Sequence, residues 1–175
     1  MKNTIFLLIS FLLNLSLNAQ THYQEILRFK NNEIQAVITY NANDILDGES
    51  IYYYPNGYVK SYINYIEGKA NGTIENYHQN GELEAIGLIV DDKAEGIHEY
   101  YHSNGVLKQL ILYKNNRIID INKCTDKKNN KLYCGKVKNG NGFINIYDEK
   151  GNLIARDQIE NGLFTNRINL NESNK

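Results

Sequence analysis

The chain has 175 residues, with 19 Lys and Arg against 20 Asp and Glu and a net charge of −1. That length fits one domain, and a balanced charge without clustered cations excludes the electrostatic footprint of a nucleic-acid or acidic-membrane binder. Fourteen Tyr, 13 Gly, a single Pro and no Trp favour strands joined by tight turns over helices.

The first element is an address. Lys2, the apolar run Ile5 to Leu13 and the small-residue pattern Leu17-Asn18-Ala19-Gln20 read as a secretory signal peptide over residues 1–19, cut after Ala19. The run is shorter than the ~20 apolar residues of a spanning helix. The mature chain is therefore expected without a membrane span, periplasmic or secreted; a retained N-terminal anchor is the alternative. Residues 20–47 read as N-terminal capping strands. Within them Asn32-Glu33-Ile34, followed by Ala36, Ile38 and Tyr40, matches the second half of the unit that follows.

From Gly48 the chain becomes periodic. Gly48 and Gly57, Gly72 and Gly81, Gly96 and Gly105, and Gly142 and Gly151 each stand nine residues apart, and the first three pairs begin 24 residues apart. Fixed periods of this size mark tandem repeats. Five residues after the first glycine stands Tyr53, Tyr77, Tyr101 or Tyr147. The next position holds Tyr54, His78, His102 or Asp148. Asn56-Gly57, Asn80-Gly81, Asn104-Gly105 or Lys150-Gly151 follows, and then an aliphatic, Val59, Leu83, Leu107 or Leu153. Asn-Gly supplies positive-φ backbone at little steric cost and is the strongest short hairpin signal. A second turn is expected at Gly68-Lys69, Asp92-Lys93, Asn116-Arg117 and Gly162. Three hairpin repeats thus occupy 48–119 and a fourth occupies 142–168. A lone hairpin is marginal in water, so the units must share a sheet. The expected fold is all-β: an elongated, single-layer antiparallel sheet of tandem hairpins.

Residues 120–141 break the glycine pattern and read as an irregular insert. They hold both cysteines, Cys124 and Cys134, and an even pair in a secreted chain reads as a disulfide. Zinc would need four ligands, and no histidine lies nearby. Residues 169–175 read as a frayed tail.

One catalytic signature is present in letters. His98-Glu99-Tyr100-Tyr101-His102 spells His-Glu-x-x-His, which binds zinc when both imidazoles share a helix face. Here it fills a repeat strand, where residues four apart lie about 13 Å from each other. A zinc hydrolase through His98, Glu99 and His102 is accordingly the least favoured function, and no metal or cofactor is expected.

The pattern Gly-x4-Tyr-x2-Asn-Gly-x-Leu-x5-Tyr-x2-Gly-Lys, carried almost whole by Gly48 to Lys69, resembles the bacterial MORN-repeat variant. Gly72 to Lys93 and Gly96 to Arg117 carry it with departures. Arrays of this kind resemble YwqK-like antitoxin-family proteins, which implies an antitoxin or immunity role; a signal peptide departs from a cytoplasmic antitoxin. From the residues themselves the expected function is a non-catalytic, extracytoplasmic scaffold that binds a protein, peptide or glycan through an aromatic face. Its expected contacts are the row Tyr54, His78, His102 and the column Tyr53, Tyr77, Tyr101. Cross-strand packing of the tyrosines is the alternative reading of the column.

Overall fold

The computed structural model describes residues 21–170; the expected signal peptide and residues 171–175 lie outside the described residues. Every regular element among them is a strand. The first hairpin is β1 (His22–Arg28) with β2 (Ile34–Asn41), and the second is β3 (Gly48–Tyr53) with β4 (Val59–Ile66). After the two-residue β5 (Lys69–Ala70) come β6 (Gly72–Tyr77) with β7 (Leu83–Val90), and β8 (Lys93–Tyr101) with β9 (Leu107–Lys114). Next are β10 (Arg117–Thr125), the short β11 (Lys131–Leu132) and β12 (Gly135–Lys138), then β13 (Asn141–Tyr147), β14 (Leu153–Glu160) and β15 (Leu163–Asn169). All belong to one open antiparallel sheet whose spatial order follows chain order, with β5 on β4 and β11 on β10 as side pieces. The molecule is an all-β meander of tandem hairpins, as the glycine period predicts.

Two turn types alternate, one at each end of the strands. At the first, Tyr54 N–H donates to Tyr58 O at 2.8 Å and Gly57 N–H to Tyr54 O at 2.9 Å. His78 and Gly81, His102 and Gly105, and Asp148 and Gly151 repeat both bonds. Only the glycine is left-handed, Gly57 at φ 85° for example, while Asn56, Asn80 and Asn104 keep ordinary φ. This is a type I turn closed by a glycine bulge, and the strand register shifts at that point, between Tyr52 and Tyr53. The Asn-Gly pair therefore does not place both residues at positive φ.

At the other end the turns are the two-residue primed kind. Glu67-Gly68, Asp91-Asp92, Asn115-Asn116, Asn139-Gly140 and Asn161-Gly162 all have positive φ at both positions, the requirement of a type I′ hairpin. They sit one residue earlier than the sequence reading set them. Asp and Asn tolerate this conformation because their short polar side chains bond locally.

Residues 120–141 are a further unit, not an irregular insert. The turn starting at Asp126 has the same two backbone bonds, Asp126 N–H to Asn130 O and Asn129 N–H to Asp126 O, each 3.0 Å. Asn129 takes the left-handed position at φ 65°, where the other units have glycine. Asp126 thus continues the row Tyr54, His78, His102 at the same 24-residue step. The apparent shortfall before Gly142 has a separate cause. Between return turn and next strand, the β4–β6 and β7–β8 pairings each absorb extra residues in a bulge, whereas β12–β13 pairs without a shift. A unit without the bulge is shorter by those residues.

The N-terminal segment also holds more than the expected half unit. Phe29 N–H bonds Glu33 O and Asn32 N–H bonds Phe29 O, both at 2.9 Å, so β1 and β2 form a complete hairpin on the same turn. β15 continues to Asn169 with regular pairing to β14, which places the start of the expected frayed tail within a strand.

An apolar cluster lies in the C-terminal half. Ile121, Cys124, Val137, Ile144 and Ile159 form a buried cluster, with Ile118, Leu132, Cys134 and Ile146 packed against it. The Cys124–Cys134 disulfide spans Cα atoms 5.3 Å apart and closes the hairpin around the Asp126 turn. On the loop-entropy model a closure of this size stabilises by ~2–3 kcal/mol.

Candidate functional site

The row Tyr54, His78, His102, expected to make contacts with a partner, forms a set of ties between units. Tyr54 Oη donates to Tyr77 O at 2.7 Å, His78 Nε2 lies 3.0 Å from Tyr101 O, and His102 Nε2 lies 2.8 Å from Thr125 O. Each side chain is half-buried and reaches the same carbonyl of the next unit. A carbonyl only accepts, so both imidazoles carry their hydrogen on Nε2. The turn asparagines run a parallel ladder: Asn56, Asn80 and Asn104 donate to Gln79 O, Ser103 O and Lys127 O at 2.7–2.8 Å.

The Tyr54, His78, His102 ladder stops at the Asp126 unit for a chemical reason, and the asparagine ladder stops where Lys128 takes the asparagine position. An ionised carboxylate has nothing to donate, and Asp126 turns inward on its own hairpin instead. It accepts from Lys128 N–H at 2.9 Å and from Asn130 N–H and Nδ2 at 2.8 Å. These bonds, led by the Asn130 side chain, hold its carboxyl below the usual range. Asp148 repeats the arrangement with Lys150 and Asn152 and is lowered in the same way. In place of the asparagine rung, Lys127 Nζ reaches Glu149 Oε1 at 2.7 Å and keeps that carboxylate low.

The tyrosine column is anchored as well. Tyr77 and Tyr101 donate to Glu75 and Glu99, two residues back on the same side of the strand. The carboxylate bond pushes the Tyr77 phenol up to about 12. Tyr147 donates to Tyr133 O at 2.8 Å. Tyr53 has Ile51 at the position of those glutamates. Tyr77 also meets Tyr62 edge-on, with centroids 5.9 Å apart, a cross-strand packing contact at that position.

The His-Glu-x-x-His letters begin on β8 and end at His102, one residue beyond it, with their side chains in three different environments. His98 is buried, its Nε2 3.0 Å from Leu88 O and its ring edge-on to Tyr113 at 4.8 Å. Glu99 receives the Tyr101 hydroxyl, and His102 is a rung of the ladder. Among the described residues no three His, Cys, Asp or Glu side chains gather in a way that could hold a metal ion.

What the turn edge does form is a cleft of about 200 Å3. It is lined by His78, Tyr101, His102, Ser103, Lys108, Lys127, Tyr147, Asp148 and Glu149. A smaller hollow shares His102, Lys108, Tyr147 and Asp148 with it and is lined further by Gln109, Cys124, Thr125, Leu132, Asn145 and Ile146. Four successive units contribute: His78 follows β6, Tyr101 to Lys108 belong to β8–β9, Lys127 to the Asp126 hairpin, and Tyr147 to Glu149 to β13–β14. Two residues of the expected row, His78 and His102, belong to this cleft together with Tyr101, while Tyr54, Tyr53 and Tyr77 do not line it. Lys108, Lys127 and Glu149 were beyond reach of the sequence reading, because no repeat position marks them. The recurrence of the Asp126 turn at the 24-residue step is the signal that would have brought Lys127 beside them.

The family model described as MORN repeat variant matches residues 46–67 and 94–115. These are the units of β3–β4 and β8–β9. A comparison with curated proteins finds no match.

Proposed function

From a chain built on MORN repeat variant units, which generally serve as interaction modules, we propose that this protein is a non-catalytic binding scaffold acting outside the cytoplasm. The observation that carries the reading is the cleft at the turn edge, whose lining is drawn from four successive units. Repeat proteins bind through such composite surfaces, since no single unit can form a pocket. The partner is a protein segment presented to that edge. The side chains of the expected aromatic and histidine row hold the edge in shape, and the lining between the rungs makes the contact. Support for the location comes from the signal-peptide pattern of residues 1–19 and from a paired Cys124–Cys134, which suits an oxidising compartment.

The test is site-specific photocrosslinking in cells. A crosslinking residue at Ser103, on the cleft, is expected to give a discrete protein adduct; one at Glu67, on the opposite return-turn edge, is not. Equal labelling from both positions, or none from Ser103, removes the cleft as the contact. N-terminal sequencing of the fractionated protein is expected to begin at Gln20, and a cytoplasmic, uncut chain would overturn the location.

A further inference from the structure

The near-zero net charge conceals a segregation along the sheet. Residues 21–103 hold 13 Asp and Glu against 5 Lys and Arg, a net −8, whereas residues 104–140 hold 9 Lys and Arg against 2 Asp, a net +7. The boundary falls between β8 and β9, at the middle of the strand order. Among the described residues the acidic stretch has the ion pairs His22–Asp47 and Lys69–Asp91, and the basic stretch has Lys127–Glu149. β4 and β10 stand five strands apart, roughly 24 Å, well beyond the ~8 Å over which exposed charges act in physiological salt. The two poles therefore do not neutralise each other within one molecule.

Strand pairing places both signs on one face, because directly opposed residues share a face. The opposed pairs Tyr62–Glu75, Glu75–Ile86, Ile86–Glu99 and Glu99–Leu110 set Glu75 and Glu99 together. Leu112, two residues on from Leu110, opposes Ile97 and Asp120, and Asp120 opposes Lys138. Lys114 and Lys136 join that face by alternation. Between its acidic and basic parts the face is apolar: Ile97 is 58% exposed and Leu88 45%, and Ile97 meets Leu112 across the boundary. The other face carries Ser50, Ser61, His98 and Ile121, all buried.

An apolar centre with charged flanks has the anatomy of a protein–protein interface, and the surface that complements both flanks at once is this same face with its strand order reversed. We propose that the face is the contact between two copies of the chain, packed sheet on sheet. A two-fold axis running along the strands at the β8–β9 boundary sets β12 of one copy over β6 of the other. Lys136 and Lys138 then face Glu75 of the second copy, and the two apolar centres meet at the axis. Such a contact is isologous and closes at a dimer. The inference goes beyond the scaffold reading and does not require it.

The experiment is sedimentation equilibrium of the full mature protein at about 0.1 M and about 1 M salt, where charges act over ~10 Å and ~3 Å respectively. A dimer is expected at the lower salt, with its dissociation constant raised at least about tenfold at the higher. Ile97→Asp, at an exposed site, should weaken the dimer at least about tenfold and keep the parent's circular dichroism. The pair Lys136→Glu, Lys138→Glu and the pair Glu75→Lys, Glu99→Lys should each weaken it on the same scale, because like charges then face each other. Mixing these two reversed proteins should restore a one-to-one heterodimer, which a loss of folding could not do. A monomer at both salt concentrations, assembly beyond the dimer, a dimer untouched by Ile97→Asp, or no heterodimer from two folded reversed proteins each overturns the proposal.

Discussion

Gly87 has ordinary strand φ, so its presence in β7 is not a matter of conformational freedom. A Cβ built there would lie 2.2 Å from His98 Nδ1, because the imidazole lies over the bare backbone on its way to Leu88 O. Gly87→Ala is therefore expected to destabilise by about 1–3 kcal/mol, the usual cost of overpacking. In the double variant with His98→Ala the clash is gone, so the two costs should sum to more than the measured total. Urea midpoints of the four proteins check this; strict additivity would mean the ring does not sit there. Asn104 gives a second residue-scale test. Asn104→Asp keeps the acceptor for Val106 N–H but loses the donor to Lys127 O, for an expected cost of about 0.5–1.5 kcal/mol. Asn104→Ala loses both and should cost more. The sequence identified these asparagines as turn residues but credited them with backbone freedom. Their persistence at three positions, where Asp would turn as well, was the sign that a donor is required.

At the scale of the hairpin, the Asp126 unit explains what was legible and what was not. Period, strand positions and turn glycines could be read because they express steric requirements that few residues meet. The unit at 120–141 stayed hidden because Asn129 substitutes for glycine at the left-handed position, Asp126 for the donor row, and an absent bulge shifts the count. Where donor rungs fail, other ties appear: the disulfide, the Lys127–Glu149 pair and the carboxylate caps. Those caps make this end of the sheet acid-sensitive. Because the folded pKa values of Asp126 and Asp148 are depressed, their contribution is complete above the unfolded carboxylate value of about 4 and is lost as pH falls through the folded values. The double variant Asp126→Asn, Asp148→Asn should accordingly show a smaller drop in urea midpoint between pH 6 and pH 3 than the parent. An identical drop in both proteins would assign acid sensitivity to other carboxylates.

Across the whole molecule, interchangeability of units is limited by such private fits. Deleting residues 96–119 joins Glu95 to Asp120 and brings Thr125 O and Lys127 O under His78 and Asn80, so both ladders are preserved. This shortened chain is expected to fold, with β-sheet circular dichroism and one cooperative transition at a lower midpoint. Deleting 72–95 preserves the ladders equally but sets His98 over Ile63 instead of Gly87, and should be the less stable of the two. Reversed stabilities would show that the ladders matter and the glycine fit does not. The architecture was thus readable from spacing alone, while the cleft was not: its lining comes from four units that only the sheet brings together.

The rungs also have a direction. Tyr54, His78 and His102 are donors, and every acceptor lies 23 residues later in the chain. During synthesis at about 5–20 residues per second, each unit's donors must wait ~1–5 s for the carbonyl that receives them. The chain therefore closes its seams in the order in which it is made. The growing end stays open until the Asp126 turn emerges, which caps itself and needs no successor.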